Sequence, residues 1–253
     1  MRDRTYPAII QTAKLAFRVL GQTHVLTGTE HVPRHGGVLL ACNHVSHLDF
    51  IYAGLAAHPS RRLVRFMAKQ EIFAHPVGGP VMRSMHHIAV DRGEGIDSYR
   101  AAVGYLRSGE AVGIFPEATI SRAMELKGFK TGAVRIAAEA RVPLVPVILW
   151  GTQLMMTKDH PRDFSRGRTI TLRVGTPLYP TGADPVAETA ELHAVMSGLL
   201  RESVLAYPAD EQPPGSWWVP ASLGGGAPTL AEAAVLDAEE RIARSRRRGV
   251  PAP

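Results

Sequence analysis

Seven consecutive residues, Asn43-His44-Val45-Ser46-His47-Leu48-Asp49, gather two histidines, a serine and a carboxylate directly after the apolar run Val38–Cys42. The run reads as a buried strand that ends where the polar cluster begins. His44 and Asp49 are five residues apart, which on one continuous helix would set them about 140° apart around the axis. They meet only if the chain turns after Asn43. The spacing predicts that turn, with Ser46 capping a new helix and Asp49 three residues on in capping-box position. His44 then lies in the turn and Asp49 folds back to its ring. A carboxylate on one ring nitrogen holds the tautomer that leaves the other free to accept a proton near neutral pH. The pair would act as a general base, arranged like a serine-protease triad without its serine.

The same residues admit three other readings. They are also what a helix cap requires. His44, His47 and Asp49 are possible metal ligands, although no further His, Asp or Cys cluster of ligand spacing completes a site. Ser46 and Cys42 are possible nucleophiles, but there is no Gly-x-Ser-x-Gly elbow, and Cys42 within an apolar run reads as a small core residue. Spacing alone does not choose among them.

The elements that must position this cluster alternate along the chain. Residues 7–20 read as a helix opening on Pro7, with Ile9, Ala13, Ala16, Phe17 and Leu20 on one face. Lys14 and Arg18 lie on another face, with Arg2 and Arg4 ahead of them, so the segment suits either an ordinary amphipathic helix packed on the core, which the sequence alone favours, or one lying on an anionic membrane surface. Strands are expected at 38–42, 62–68, 88–90, 111–115, 144–149 and 169–174. Helices are expected at 48–57, at 96–107 with Ile96, Tyr99, Val103 and Leu106 inward, and at 132–140 and 186–206. Gly109 ends the second of these, and Pro76–Pro80 reads as a turn-rich loop. The pattern is that of an α/β fold with a mainly parallel sheet flanked by helices. Residues 208–228 hold five prolines, three consecutive glycines and Trp217-Trp218, and read as an extended tail whose tryptophans dock on the domain or, as the weaker alternative, sit at a membrane interface. A helix follows from Thr229 to Ala243, with Glu232 in the box position and a basic end at 244–248. The organisation expected is a docking segment at 1–24, a catalytic domain at 25–207 and a tail at 208–253.

Composition narrows the class of partner. Hydrophobic residues make up 45% of the 253 and charged residues 21%, as in globular domains that bury a sizeable core. Lys and Arg number 29 against 23 Asp and Glu, a net charge of +6 that favours anionic partners such as phospholipid headgroups, phosphorylated metabolites or nucleic acid. The single cysteine excludes an internal disulfide and fits a reducing compartment. No run of 18 apolar residues and no signal peptide is apparent, so no spanning helix is expected.

Taken in order, several blocks resemble one family. NHVSHLD at 43–49, Lys69-Gln70-Glu71 with Pro76 and Gly78, Val90-Asp91-Arg92, FPEATIS at 115–121, Lys130-Thr131-Gly132 and VPLVPV at 142–147 are similar to the glycerophospholipid acyltransferases. Within them the chain resembles the bacterial 1-acylglycerol-3-phosphate acyltransferases over about residues 30–180. The resemblance implies transfer of an acyl group from acyl-CoA or acyl carrier protein to the hydroxyl of a lysophospholipid, with His44 and Asp49 as the catalytic pair. It implies no metal and no cofactor beyond the acyl donor. Partners would be lipid and an anionic membrane surface rather than nucleic acid, at the cytoplasmic face, peripherally bound, and the oligomeric state is left open. Carried over residue by residue, Lys69, Arg92, Pro116, Glu117 and Thr119 hold the acceptor, with Ser46 counted beside them. Two positions depart from the family's usual Glu-Gly-Thr-Arg block: Ala118 stands for the glycine and Ile120 for the arginine. Arg122 or Lys130 is expected to supply the missing phosphate contact. Because the arginine is absent, other acceptors remain open: a headgroup-bearing lysophospholipid, glycerol 3-phosphate, or lipid binding without catalysis.

Overall fold

The computed structural model describes Asp3, residues 5–90 and residues 95–247. Arg2, Arg4, Asp91, Arg92 and Arg248 therefore lie outside the described residues. Seven strands form one sheet: β1 (Thr23–Thr27), β2 (Val38–Cys42), β3 (Val64–Lys69), β4 (Ile88–Val90), β5 (Ala111–Ile114), β6 (Leu144–Trp150) and β7 (Thr169–Val174). Their order is β1-β7-β6-β2-β5-β3-β4. Every neighbouring pair is parallel except β6 with β7. The expected mainly parallel α/β sheet is what the chain forms.

The central strands owe their continuous apolar sequence to burial on both faces. All five residues of β2 are inaccessible to solvent, and they alternate between two cores. Leu39 and Ala41 join one core with Ile148 and Trp150; Val38, Leu40 and Cys42 join the other with Val145, Val147 and Leu149. The first core is closed by helices α5 (Gly95–Arg107), α6 (Gly132–Ala140) and α7 (Pro185–Leu205), and the second by α1 (Tyr6–Val19) and α2 (Asp49–Ala56). In α5, Val103 and Leu106 are buried as expected, whereas Ile96 in the first turn is exposed.

Two expectations are corrected. The Pro76–Pro80 stretch is a turn only at Pro76 and Val77: α3 (Gln70–Ala74) is followed closely by α4 (Gly78–Ser84), which takes in the rest. Pro80 sits in the first turn of α4, where the missing N–H is no loss. A Cβ on Gly79 would lie 2.1 Å from the Phe73 carbonyl, so this glycine lets the two helices touch. The second correction concerns residues 208–228, which are packed rather than extended. Trp218 is buried against Trp150 and Tyr207, with ring centroids 5.7 and 5.3 Å away, and Trp217 stacks on His160 at 3.5 Å. Trp218 therefore buttresses the end of β6, and Trp217 the segment that follows it. Beyond them, α8 (Leu230–Arg247) opens on the expected capping box: Glu232 accepts from Thr229 N–H at 2.8 Å, and Thr229 Oγ1 accepts from Glu232 N–H at 3.3 Å.

Candidate active site

Because β2, β3, β4, β5 and β6 run in one direction, their carboxyl ends share an edge of the sheet, where α/β folds bind ligands. Asn43 continues β2 across that edge: its side-chain amide donates to Leu149 O at 3.0 Å and accepts from Leu149 N–H at 2.7 Å. The chain then turns. His44 Nδ1 lies 2.9 Å from Asp49 Oδ2, which also accepts Val45 N–H and Ser46 N–H, each at 2.7 Å. Asp49 Oδ1 accepts the Thr152 hydroxyl at 2.7 Å. Asp49 is wholly buried, and all four partners donate to it. With Nδ1–H turned to the carboxylate, Nε2 is the nitrogen able to take a proton, on a side chain about a fifth exposed.

A second wall comes from the end of β5. Phe115 stacks on the His44 ring at 4.3 Å and 25°, and Phe66 stacks behind Phe115 at 6.1 Å. A Cβ at Gly113 would stand 2.4 Å from the Phe66 ring, so the glycine in β5 is what admits this layer. Glu117 accepts His44 N–H through Oε1 at 2.8 Å and Lys127 N–H through Oε2 at 3.1 Å. Burial pushes its carboxyl up to about 8 against the pull of those two N–H groups. It therefore ties the 43–49 loop to the loop after β5. Burial likewise drives the Cys42 thiol far above its ordinary range, so Cys42 is an inert core residue. The His47 imidazole is lowered, first by desolvation, then by repulsion from His44, with Lys158 and Lys69 adding to it.

The other residues expected at the site divide. Pro116, Glu117, Ala118 and Thr119 follow β5, the strand next to β2, and Lys69 ends β3, one strand further out on the same edge. Ala118 takes a left-handed conformation, φ 61°, where a glycine would be unstrained. Lys130 is exposed, its N–H donated to Pro116 O at 3.1 Å. Arg92 lies outside the described residues. Ser46 is corrected on two counts. The helix begins at Asp49 with Leu48 before it, and the Ser46 hydroxyl donates to Met156 O at 2.8 Å while accepting Leu48 N–H at 3.2 Å. Fully buried, it is a strut rather than a substrate contact. Arg122 is also taken: it pairs with Asp159, with Asp237 and, at 3.0 Å, with Glu240. Sequence reasoning missed Thr152, Lys127, Lys158 and the two α8 carboxylates. For Thr152 a signal existed, since Gly151-Thr152 directly follows β6 as Asn43-His44 follows β2.

The site is thus an imidazole oriented by a buried carboxylate on the parallel edge of an α/β sheet, with no serine elbow and a buried cysteine. Comparison with known proteins gives the family. The acyltransferase family model matches residues 24–150. The 1-acyl-sn-glycerol-3-phosphate acyltransferase of Bacillus subtilis is 33% identical over 151 residues, 59% of this chain and 71% of that protein. Its counterpart in Borreliella burgdorferi is 28% identical over 64% of each. The crystal structure of the 1-acyl-sn-glycerophosphate (LPA) acyltransferase PlsC from Thermotoga maritima superposes with a TM-score of 0.69 at 25% identity, covering 82% of this chain and 86% of that one. This chain belongs to the acyltransferase family, in the branch of the 1-acylglycerol-3-phosphate O-acyltransferases.

Proposed function

We propose that the chain transfers a fatty acyl group from a thioester donor, acyl-CoA or acyl carrier protein, to the free hydroxyl of 1-acylglycerol 3-phosphate, giving phosphatidic acid. The observation that carries this reading is the 2.9 Å contact of His44 Nδ1 with a buried Asp49 held by three further donors. His44 Nε2 takes the proton of the acceptor hydroxyl as its oxygen attacks the thioester carbonyl. The tetrahedral adduct collapses by breaking the C–S bond, and the departing thiolate receives that proton back from His44. No acyl-enzyme forms, because the substrate oxygen is itself the nucleophile. A positioned base of this kind contributes about 10²- to 10⁴-fold. The test is incubation of purified protein with acyl-CoA, or acyl carrier protein, and a panel of lysophospholipids and glycerol 3-phosphate, with products identified by mass. Phosphatidic acid formed by the wild type and lost with His44→Ala is the expected result. Equal turnover by His44→Ala would overturn it.

The reading includes peripheral attachment to an anionic membrane. Among the described residues no helix is long and apolar enough to cross a bilayer. The apolar stripe of α1, Ile9 and Phe17, packs on the domain, with Phe17 stacked on Tyr52 at 5.0 Å. The face left outward carries Leu15 and Val19, one turn apart and about 60% exposed, beside Arg18.

A further inference from the structure

Helix α8 is weakly held for its length. Among its described side chains Ala233 alone is buried, while Leu230, Val235 and Ile242 are exposed. What fastens its middle is charge. Asp237 Oδ2 meets Lys127 Nζ at 3.1 Å, and Asp237 Oδ1 meets Lys158 Nζ at 3.2 Å and Arg122 Nη1. Glu240 Oε2 meets Lys158 Nζ at 2.9 Å and Arg122 Nη2 at 3.0 Å. Three anionic oxygens from one helix thus fill the space among three cations. Lys127 Nζ also reaches Thr119 Oγ1 and, at 3.2 Å, the carbonyl of Ile120.

The cations sit on the catalytic loop's own supports. Arg122 follows Ser121, whose N–H binds His44 O at 2.8 Å. Lys158 follows Thr157, whose hydroxyl binds Val45 O at 2.7 Å. Lys127 shares Glu117 with His44 through backbone N–H groups. With Asp159 kept on Arg122, the three cations hold a net charge of plus two, which Asp237 and Glu240 cancel. A phosphate monoester near neutral pH carries about −1.5 to −2 and offers three oxygens, the same charge and number of acceptors.

We propose that Arg122, Lys127 and Lys158 form a phosphate-monoester site beside His44, and that α8 occupies it in the free protein through Asp237 and Glu240 and is displaced when the phosphate enters. This rests on the acyl-transfer reading for the identity of the phosphate, and it adds a self-occupied site that substrate must open. Removing the two competing charges while keeping their shape leaves the cations to the ligand.

The experiment uses the full chain and needs no turnover. Hydrogen exchange of α8 is followed in wild type against inorganic phosphate, against lysophosphatidic acid, and against chloride at equal ionic strength. Phosphate affinity is measured calorimetrically for wild type and for Asp237→Asn/Glu240→Gln. Expected are faster exchange of α8 with either phosphate compound but not with chloride, and phosphate binding at least about tenfold tighter in the double variant, since the charge-assisted contacts of Asp237 and Glu240 no longer compete. Unchanged α8 exchange, an equal effect of chloride, or unchanged phosphate affinity in the folded double variant overturns the proposal. Displacement by lysophosphatidic acid alone would place the trigger in the acyl chain and also overturns it. If the double variant does not fold, the wild-type exchange decides. Absence of acyl transfer with α8 still released by phosphate would refute the function and leave this inference standing; transfer with an unmoved α8 would do the reverse.

Discussion

Asp49→Asn isolates what the buried charge does for His44. The substitution is close to isosteric, and its outcome follows from which oxygen the asparagine keeps. Oδ2 accepts two backbone N–H groups, from Val45 and Ser46, besides His44 Nδ1–H. Those fixed donors select the amide oxygen at that position, and the amide NH2 falls at Oδ1, where the Thr152 hydroxyl can rotate to accept instead. The tautomer and ring position of His44 are thereby retained. What is lost is the negative charge that stabilises the imidazolium formed as the acceptor is deprotonated. Exchanging a charge-assisted hydrogen bond for a neutral one removes about 1–1.5 kcal/mol from the transition state, or roughly 5- to 12-fold in kcat. The acceptor KM should hold, because the neutral imidazole of the ground state does not need the charge. Steady-state acyl transfer at saturating donor, with thermal unfolding as a control, measures both. A kcat within threefold of wild type would refute the general-base argument, and a large rise in acceptor KM at constant kcat would make Asp49 a binding residue.

Three further outcomes are expected. Glu117 titrates near 8 in the fold and near 4.5 in its ordinary state, so the folded chain holds the extra proton between those values and stability falls as pH rises from about 4.5 to about 8. Glu117→Gln should flatten that slope, worth on the order of a few kcal/mol, and chemical denaturation of both proteins across the window checks it; parallel curves would refute it. Ala118→Gly should stabilise the chain by on the order of 1 kcal/mol, because an exposed alanine at φ 61° carries left-handed strain and loses no packing when trimmed. A lower melting temperature for the glycine variant would show that the loop is not strained there. Leu15→Asp/Val19→Asp should reduce sedimentation with anionic vesicles without lowering the melting temperature, as both side chains are exposed; unchanged sedimentation would remove α1 as the anchor.

The strands and long helices were legible in the sequence because their burial is periodic or continuous. Strand β2 reads as five apolar residues since it is buried on both faces, and α7 runs one residue from its expected bounds. Elements whose sequence carries another message were not. Thr23–Thr27 was not foreseen as a strand because an edge strand of partly exposed residues shows no clean alternation. Pro80 and Gly79 read as loop residues, although one starts a helix and the other lets two helices touch. At the site, the His44–Asp49 pair was visible because its members are five residues apart. Glu117 and Thr152 act on the same loop from 73 and 103 residues away, and periodicity carries no information at that range. Arg122 shows the limit most directly: its charge was evident, but its partners Asp237 and Glu240 belong to a helix that sequence placed in a separate tail.

The strength of the motif lies less in the His44–Asp49 pair than in how completely its backbone is satisfied. Asn43 N–H goes to Val147 O, His44 N–H to Glu117, Val45 and Ser46 N–H to Asp49, His47 N–H to Met156 O, Leu48 N–H to the Ser46 hydroxyl, and Asp49 N–H to Ser46 O. All seven donors of the loop are used, and the acceptors come from β6, the segment after it, the end of β5 and the loop itself. A turn so held has little freedom left to lose when substrate arrives, which is the condition under which positioning lowers a barrier. It also explains why three of the five non-aliphatic side chains, Asn43, Ser46 and Asp49, are wholly buried. Asn43 and Ser46 brace the loop against β6 and Met156, and Asp49 does so as well while it orients the base. The same carboxylate therefore serves structure and chemistry, so that the two backbone N–H groups it satisfies fix where its charge must stand relative to His44.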